Sequence, residues 1–466
     1  VAQKKTQKKT QKQSRPEPQP DPNLVALVHL GCARNLIDSE LMLGRMAEEG
    51  LVITDEPGSG GTVVLNTCSF IGAAREESEN AIRDLLRRKR RGELAHVVVA
   101  GCLVQRYKQG LAEQFPEVDL FAEISDYRKL ARSVKELSEG QAGVPRYLEG
   151  PLEREPERDG ARLLSTPGSY AYLRISHGCD HLCSFCAIPS IRGKHRSKPL
   201  EAVVSEAQEL CSSGVRELVL VAEDSTAWGR DMGQELPDLV EALARLSDKP
   251  RIRVMYAYPN RFPWRLTELM REHEHVLSYL DIPVQHIATP MLRAMRRAGS
   301  GDQVRKLLDR LREEVPGITL RTTLLLGFPG ETDADAAEAA AFVREYELAR
   351  LGAFTYSPEQ GTSGWDLPDR VPANVAQERY QAVIAARDEV LRRTQTAWVG
   401  KELEILVDEQ HSGVSTVVGR GVMDAPEVDL VAMVRGSKAS VGDIIRVRVE
   451  SLDAESNLVC KPAGKR

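Results

Sequence analysis

The chain has little cysteine, no long apolar run and no strong charge of either sign. Eight cysteines in 466 residues are too few for the disulfide framework of a small secreted domain. A reducing cytoplasm is the expected compartment. No apolar run approaches the roughly 18 residues that a membrane helix needs. The first residues lack the apolar core of a signal peptide, so no membrane partner is expected. A net charge of −5 argues against bulk nucleic-acid binding but leaves room for local patches. What is present is 42% hydrophobic residues, enough for ordinary cores, in a length that suggests roughly two to four domains.

The cysteines are grouped. Cys179, Cys183 and Cys186 fall in one short loop with the spacing C-x3-C-x2-C. Zinc usually takes four N or S ligands in two separated pairs, and no fourth ligand stands at matching spacing. His181, inside the loop, would have to bind from another direction. Three thiolates suit a cubane iron–sulfur cluster with one iron left open for an exogenous ligand. Zinc and a purely structural role remain as the alternatives. Cys32, Cys68 and Cys102 each follow a short apolar run: LVALVHL, TVVLNT and HVVVAG. Ligands collect at the C-terminal edge of strands in open α/β sheets. These three thiols are therefore expected to converge and to hold a second cluster. The bland alternative is three unrelated core thiols. Cys211 on an amphipathic helix and Cys460 in a strand read as core.

The fold class is α/β with a β appendage. Residues 1–23, rich in Lys, Gln and Pro, read as a disordered tail, either solubilising or in weak contact with ribosomal RNA. Residues 24–139 form an α/β domain around the first three cysteines. Residues 140–168 read as a linker with at most one extended piece, its charges a solvated face. Residues 169–397 contain six β/α units, an open, partial (β/α)6 version of the parallel barrel, ending in a long helix from Val375 to Thr396. From residue 398 to 466 the hydrophobic period becomes two, as in a small five-stranded antiparallel barrel. The cysteine loop follows the first barrel strand, at the end where such barrels build their sites. Gly327-Phe328-Pro329-Gly330-Glu331 follows the fifth. Its glycines permit close backbone approach, so Gly327, Pro329 and Gly330 are candidate cofactor contacts. Glu223 and Asp224 end the second strand, to hold an ammonium or ribose or merely to cap a helix. Gln285 and His286 end the fourth and point at the same mouth. The cysteine spacing resembles the radical S-adenosylmethionine signature, and Phe185, the aromatic just before the third cysteine, fits that resemblance and joins the candidate set.

With both triads placed, the chain from Leu24 onward resembles a methylthiotransferase of the radical S-adenosylmethionine (SAM) superfamily, with an N-terminal cluster domain, a radical-SAM barrel and a C-terminal TRAM domain. The resemblance implies that Cys179, Cys183 and Cys186 hold a SAM-binding [4Fe-4S] cluster. It implies an auxiliary [4Fe-4S] cluster on Cys32, Cys68 and Cys102. One branch of that family modifies a tRNA adenosine; the other modifies an aspartate of small-subunit ribosomal protein S-twelve (uS12). The stretches AIPSIRG (187–193), YLDIPVQH (279–286) and DAPEVD (424–429) resemble the second branch, and Glu359 stands where the tRNA branch tends to have arginine. His177 and Glu223 depart from its usual acidic residue and glutamine. Residues 400–461 hold eleven acidic and seven basic side chains, a balance suited to a basic ribosomal protein rather than RNA. The implied reaction uses an electron from a carrier such as flavodoxin or ferredoxin to cleave SAM. A radical then takes hydrogen from the aspartate β-carbon, and a methylthio group held at the auxiliary cluster is transferred. A tRNA methylthiotransferase and a non-catalytic iron–sulfur carrier are the competing readings.

Overall fold

A computed structural model of the chain describes residues 21–58, 60–124, 126–152, 162–297, 299–411 and 415–464. The expected tail lies almost wholly outside the described residues. The N-terminal unit is a six-stranded parallel sheet. Its strands are β1 (Leu24–His29), β2 (Val52–Ile53), β3 (Thr62–Thr67), β4 (His96–Gly101), β5 (Leu120–Ala122) and β6 (Tyr147–Leu148), in the order β2-β1-β3-β4-β5-β6. Helices α1 (Ala33–Glu48) and α4 (Tyr127–Ser138) pack on one face, α2 (Gly72–Arg90) and α3 (Cys102–Gln114) on the other. β3 is buried along its whole length, as a central parallel strand with helices on both faces must be.

The expected linker holds one extended piece, but its charges are not all solvated. Tyr147–Leu148 extends the N-terminal sheet through pairing with β5. Arg162 is not part of a solvated face: its buried guanidinium reaches Glu40 of α1 at 2.6 Å and Glu206 at 2.9 Å.

The second sheet holds six parallel strands, β7 (Tyr170–Arg174), β10 (Glu217–Val221), β11 (Arg251–Val254), β12 (Val276–Asp281), β13 (Thr319–Leu326) and β14 (Arg350–Thr355), in that order and open between β7 and β14. A short antiparallel pair, β8 (Ser176–His177) and β9 (Arg196–Ser197), brackets the cysteine loop and helix α5 (Ile188–Arg192). Helices α6 (Leu200–Ser212), α7 (Leu236–Ala244), α8 (Arg265–Glu272), α9 (Thr289–Ala294), α10 (Gly301–Glu314) and α11 (Asp333–Glu345) lie between the strands. Alternation along each strand separates two faces. Ala171, Leu173, Leu218 and Leu220 meet the helices, where Cys211 is core as expected. Tyr170, Tyr172, Val219 and Val221 face inward and share a core with the N-terminal unit. Asp38 of α1 joins the two units, with buried contacts to Arg174 at 2.6 Å and Arg192 at 2.8 Å.

Helix α12 (Ala373–Thr396) packs on α11 and β14. The chain ends in a closed barrel of β15 (Glu402–Gln410), β16 (Thr416–Arg420), β17 (Ala432–Arg435), β18 (Ile444–Leu452) and β19 (Leu458–Pro462), in the order β15-β16-β17-β19-β18. It is not wholly antiparallel: β17 and β19 run parallel, Ala432 beside Leu458. Cys460 is in its core. The carboxylate excess of this barrel is largely internal. Asp408 pairs with Arg420 at 2.6 Å, and Asp424 with Arg350 at 2.6 Å. Glu427 accepts the Tyr170 and Tyr172 hydroxyls, and Asp429 that of Tyr279. Without these four and Arg420, seven acidic and six basic side chains remain, so the surface balance does not separate a protein partner from RNA.

Candidate functional site

The loop of Cys179, Cys183 and Cys186 leaves the C-terminal end of β7 and is pinned by backbone bonds. Cys179 N–H donates to Gly193 at 3.1 Å, and Ser184 N–H to Met295 at 3.0 Å. Gly178 has φ +69, and a Cβ there would lie 2.0 Å from the Lys194 carbonyl, so only glycine lets the loop close. His181 is held elsewhere. Its Nε2 is 2.7 Å from Asp224, and its ring stacks on Tyr258 with centroids 3.7 Å apart. Asp224 also accepts the Thr226 N–H, so it acts as a cap, while Glu223 faces the cavity. All three thiols are free. Burial pushes Cys179 and Cys186 up to about 12. Such thiols ionise when a metal centre supplies positive charge.

The loops of Cys32, Cys68 and Cys102 come to one edge because β1, β3 and β4 are neighbours; the three thiols are near enough to raise one another, although among the described residues no three such side chains are already drawn together as a metal site. Cys32 caps α1 and Cys102 opens α3, so both sit at helix N-termini, where amides favour an anionic group. Gly31 has φ +105, and a Cβ there would meet the Cys68 Cβ at 2.9 Å, leaving an open cradle between the loops. Asn35 ties the loops together. Its Nδ2 donates to the Leu30 and Thr67 carbonyls, and its Oδ1 lies 4.0 Å from the Cys102 sulfur. Arg192 Nη2 is 3.3 Å from that same sulfur. Burial works against a Cys32 thiolate, but Arg34 and Arg192 outweigh it and lower the thiol. Burial raises Cys68 and pushes Cys102 up to about 12. Three sulfurs, two helix ends and two buried guanidiniums suit an anionic, sulfur-ligated cluster.

A cavity of about 340 Å³ lies at the mouth of the barrel, lined by all three cysteines of the first triad and, from the N-terminal unit, by Arg34 and Phe70. Phe185, Glu223 and Gln285 line it. Glu223 Oε1 is 3.9 Å from Arg34 and 4.0 Å from Arg192. Gln285, at φ +74, bridges to β13 through its backbone. Gly327, Pro329 and Gly330 are not among the lining residues. Gly327 has φ +76, and a Cβ there would come within 2.3 Å of the Ala376 Cβ. It therefore admits α12 against the barrel. We expect Gly327→Ala to cost about 2 kcal/mol or more, read as a lower midpoint in urea. His286 does not point at the mouth. It is fully buried, with Nε2 3.6 Å from Glu331 and Nδ1 accepting the Ala288 N–H.

The arginines were not anticipated. Arg34 Nη1 donates to the Ala222 carbonyl at 2.9 Å and its guanidinium lies over the Tyr256 ring. Arg297 Nη1 is 3.6 Å from the Cys183 sulfur, and its guanidinium lies 4.1 Å from the Tyr258 ring centroid. Arg34 and Arg192 are two and six residues beyond a cysteine, the one signal that marked them. Arg106 of α3 forms a buried clamp: it donates to Glu359 at 2.8 Å and to the carbonyl of Ser69, next to Cys68. Glu359 thus positions a cysteine loop from the other domain.

Family models match this chain in three places: the Radical SAM superfamily over residues 173–343, the uncharacterized protein family UPF0004 over 24–123, and the TRAM domain over 399–456. The first implies a [4Fe-4S] cluster and SAM. In fold, the chain is similar to the radical SAM methyltransferase TsrM of Kitasatospora setae, with TM-score 0.55, 17% identity and 74% of each chain covered. It is 42% identical to the ribosomal protein uS12 methylthiotransferase RimO of Trichlorobacter lovleyi, over 91% of this chain and 95% of that protein. It is 40% identical to the RimO of Geobacter sulfurreducens over the same shares, and 38% to that of Myxococcus xanthus over 94% and 92%. Likeness of this degree along nine-tenths of the length places the chain in the RimO family of ribosomal protein uS12 methylthiotransferases.

Proposed function

We propose that the chain adds a methylthio group to the β-carbon of an aspartate of ribosomal protein uS12, using two [4Fe-4S] clusters, SAM and a reduced carrier such as flavodoxin or ferredoxin. The observation that carries this reading is one cavity lined by the first three cysteines and by Arg34 and Phe70, which stand two residues beyond Cys32 and Cys68 of the second set. Cys179, Cys183 and Cys186 would hold the cluster that binds SAM, and Cys32, Cys68 and Cys102 the auxiliary one. When bound, these groups supply the one-electron chemistry that an unactivated C–H bond requires, and the methylthio group.

The chain's own residues position these groups and protect them. Arg297, beside Cys183 and on the Tyr258 ring, would steady the Cys183 thiol that holds the first cluster. Arg34 and Arg192 balance the negative charge of the second. Asn35 and the Arg106–Glu359 clamp hold the loops of the second triad in place against the barrel. Met255, Ala257, Ile188 and Phe185 line the cavity and exclude water from it. Phe185, Glu223 and Gln285 are the proposed SAM contacts; Gly327, Pro329 and Gly330 would serve only from behind that wall.

The test is anaerobic reconstitution with iron and sulfide, then addition of SAM, reductant and either a uS12 loop peptide or unmodified tRNA. Mass spectrometry should find a methylthio group on the peptide aspartate. Cys68→Ala should lose this product while still cleaving SAM. Modification of tRNA alone would overturn the substrate, and loss of SAM cleavage in Cys68→Ala would overturn the division of labour between the triads.

A further inference from the structure

Three arginines and one carboxylate, Glu223, line the cavity beside the first triad. Two of the arginines are turned to sulfur: Arg34 is hydrogen-bonded to Cys32, and Arg297 lies 3.6 Å from the Cys183 sulfur. The third, Arg321 of β13, touches no thiol. Its Nη1 donates to Asp281 at 3.1 Å, and its Nε lies 3.4 Å from Asp429 of the C-terminal barrel without making a hydrogen bond. These two carboxylates fix the plane of the guanidinium from two different domains.

The remaining nitrogen is differently placed. Among the described residues, Nη2 of Arg321 has no hydrogen-bond partner. It lies beside Gly352 of β14, where even a Cβ would approach it to 3.5 Å. Gly352 leaves that side of the guanidinium open, next to Phe354 on the same edge strand. Arg321 and Phe354 both line the cavity. Its rim takes one apolar side chain from each domain, Phe70, Phe354 and Val428, each between 39% and 51% exposed. An apolar frame around a held guanidinium suits an extended peptide that presents one anionic side chain.

We infer that Arg321 is the specificity-determining residue of the protein substrate site, taking the carboxylate of the target aspartate on its Nη2 edge within the Phe70–Phe354–Val428 frame. This rests on the aspartate reading above and adds the residue that selects it. Aspartate and asparagine have nearly the same shape. Only a charged partner separates them strongly, since a hydrogen bond to an ionised group is worth more than a neutral one.

The experiment uses the full chain, loaded anaerobically with iron and sulfide, as wild type, Arg321→Gln and Arg321→Lys. Two uS12 loop peptides are compared, one with the target aspartate and one with asparagine in its place. Product is scored per SAM cleaved, and peptide binding is measured separately by fluorescence anisotropy. The wild type should prefer the aspartate peptide by about 10- to 100-fold in both measurements. Arg321→Gln should bind the aspartate peptide about 10-fold or more weakly and the asparagine peptide as the wild type does, so that the preference collapses. Arg321→Lys should restore part of it, which a merely structural role would not do. If Arg321→Gln keeps the wild-type preference, or weakens both peptides equally, the inference is wrong. A wild type that modifies neither peptide overturns the functional reading instead, while the binding ratios still decide the role of Arg321.

Discussion

Cys183→Ala should eliminate both SAM cleavage and methylthio transfer, lowering each by about 10³-fold or more. Cys183 is the middle ligand of the loop and the most buried of its three thiols. His181, the nearest histidine in sequence, is bonded to Asp224 and stacked on Tyr258, and moving it would break both contacts. Two sulfurs do not retain a cubane with an open iron. The expected results are a loss of about half the bound iron, no 5′-deoxyadenosine and no modified peptide. Cys211→Ala is the matched control. Cys211 is also buried, but among the helix-side residues of the barrel, where it packs as a small hydrophobe. It should cost about 1 kcal/mol in stability with iron content and SAM cleavage unchanged. Equal iron in Cys183→Ala and wild type would mean that this loop holds no cluster.

The cysteine loops were legible because they depend on local pattern. A β-branched run followed by Cys is visible at Cys32, Cys68 and Cys102 without any tertiary information. A parallel sheet then brings such strand ends together if the strands are neighbours, as β1, β3 and β4 are. The charges were not legible, because a sequence does not say which of 63 Lys and Arg side chains meets which carboxylate. Asp38 and Glu40 look like an ordinary polar face of an amphipathic helix, yet both are buried against arginines from residues 162–192. The same blindness made the acidic count of the C-terminal barrel look like a surface property. The packing role of the Gly327 turn was hidden for a related reason. Glycine marks a close approach, but only the packed structure says that the approaching group is Ala376 of α12.

Glu217→Gln should destabilise the protein by about 3–5 kcal/mol at neutral pH, the largest stability effect expected from one uncharged replacement of similar shape. Glu217 begins β10 and is buried. Its Oε1 accepts from Arg253 Nε at 2.7 Å and from Arg420 Nη1 at 3.1 Å. Arg420 belongs to the C-terminal barrel, so one carboxylate joins two domains. Removing its charge leaves two guanidiniums in the interior. Arg420 would keep Asp408, whereas Arg253 would keep only the Val422 carbonyl and the face of Tyr279. The cost is that of stranding a buried cation rather than of losing an attractive contact. Burial opposes the Glu217 charge, but Arg253 and Arg420 outweigh it and hold its carboxyl down to about 2. The unfolded value is about 4.3. A lowered folded value contributes stability above the unfolded one, and that contribution is lost as pH falls from about 4 through about 2, up to about 3 kcal/mol. Urea midpoints of the two proteins should therefore differ most near pH 7 and converge below about pH 2. A difference that persists unchanged at that pH would mean that shape, not charge, decides the effect. Proteolysis in the wild type and in the variant separates the two ways of failing. If the ion network docks the domains, the variant should be cut first between α12 and β15 while both barrels resist. If it stabilises β10 alone, cleavage should begin within the larger barrel instead.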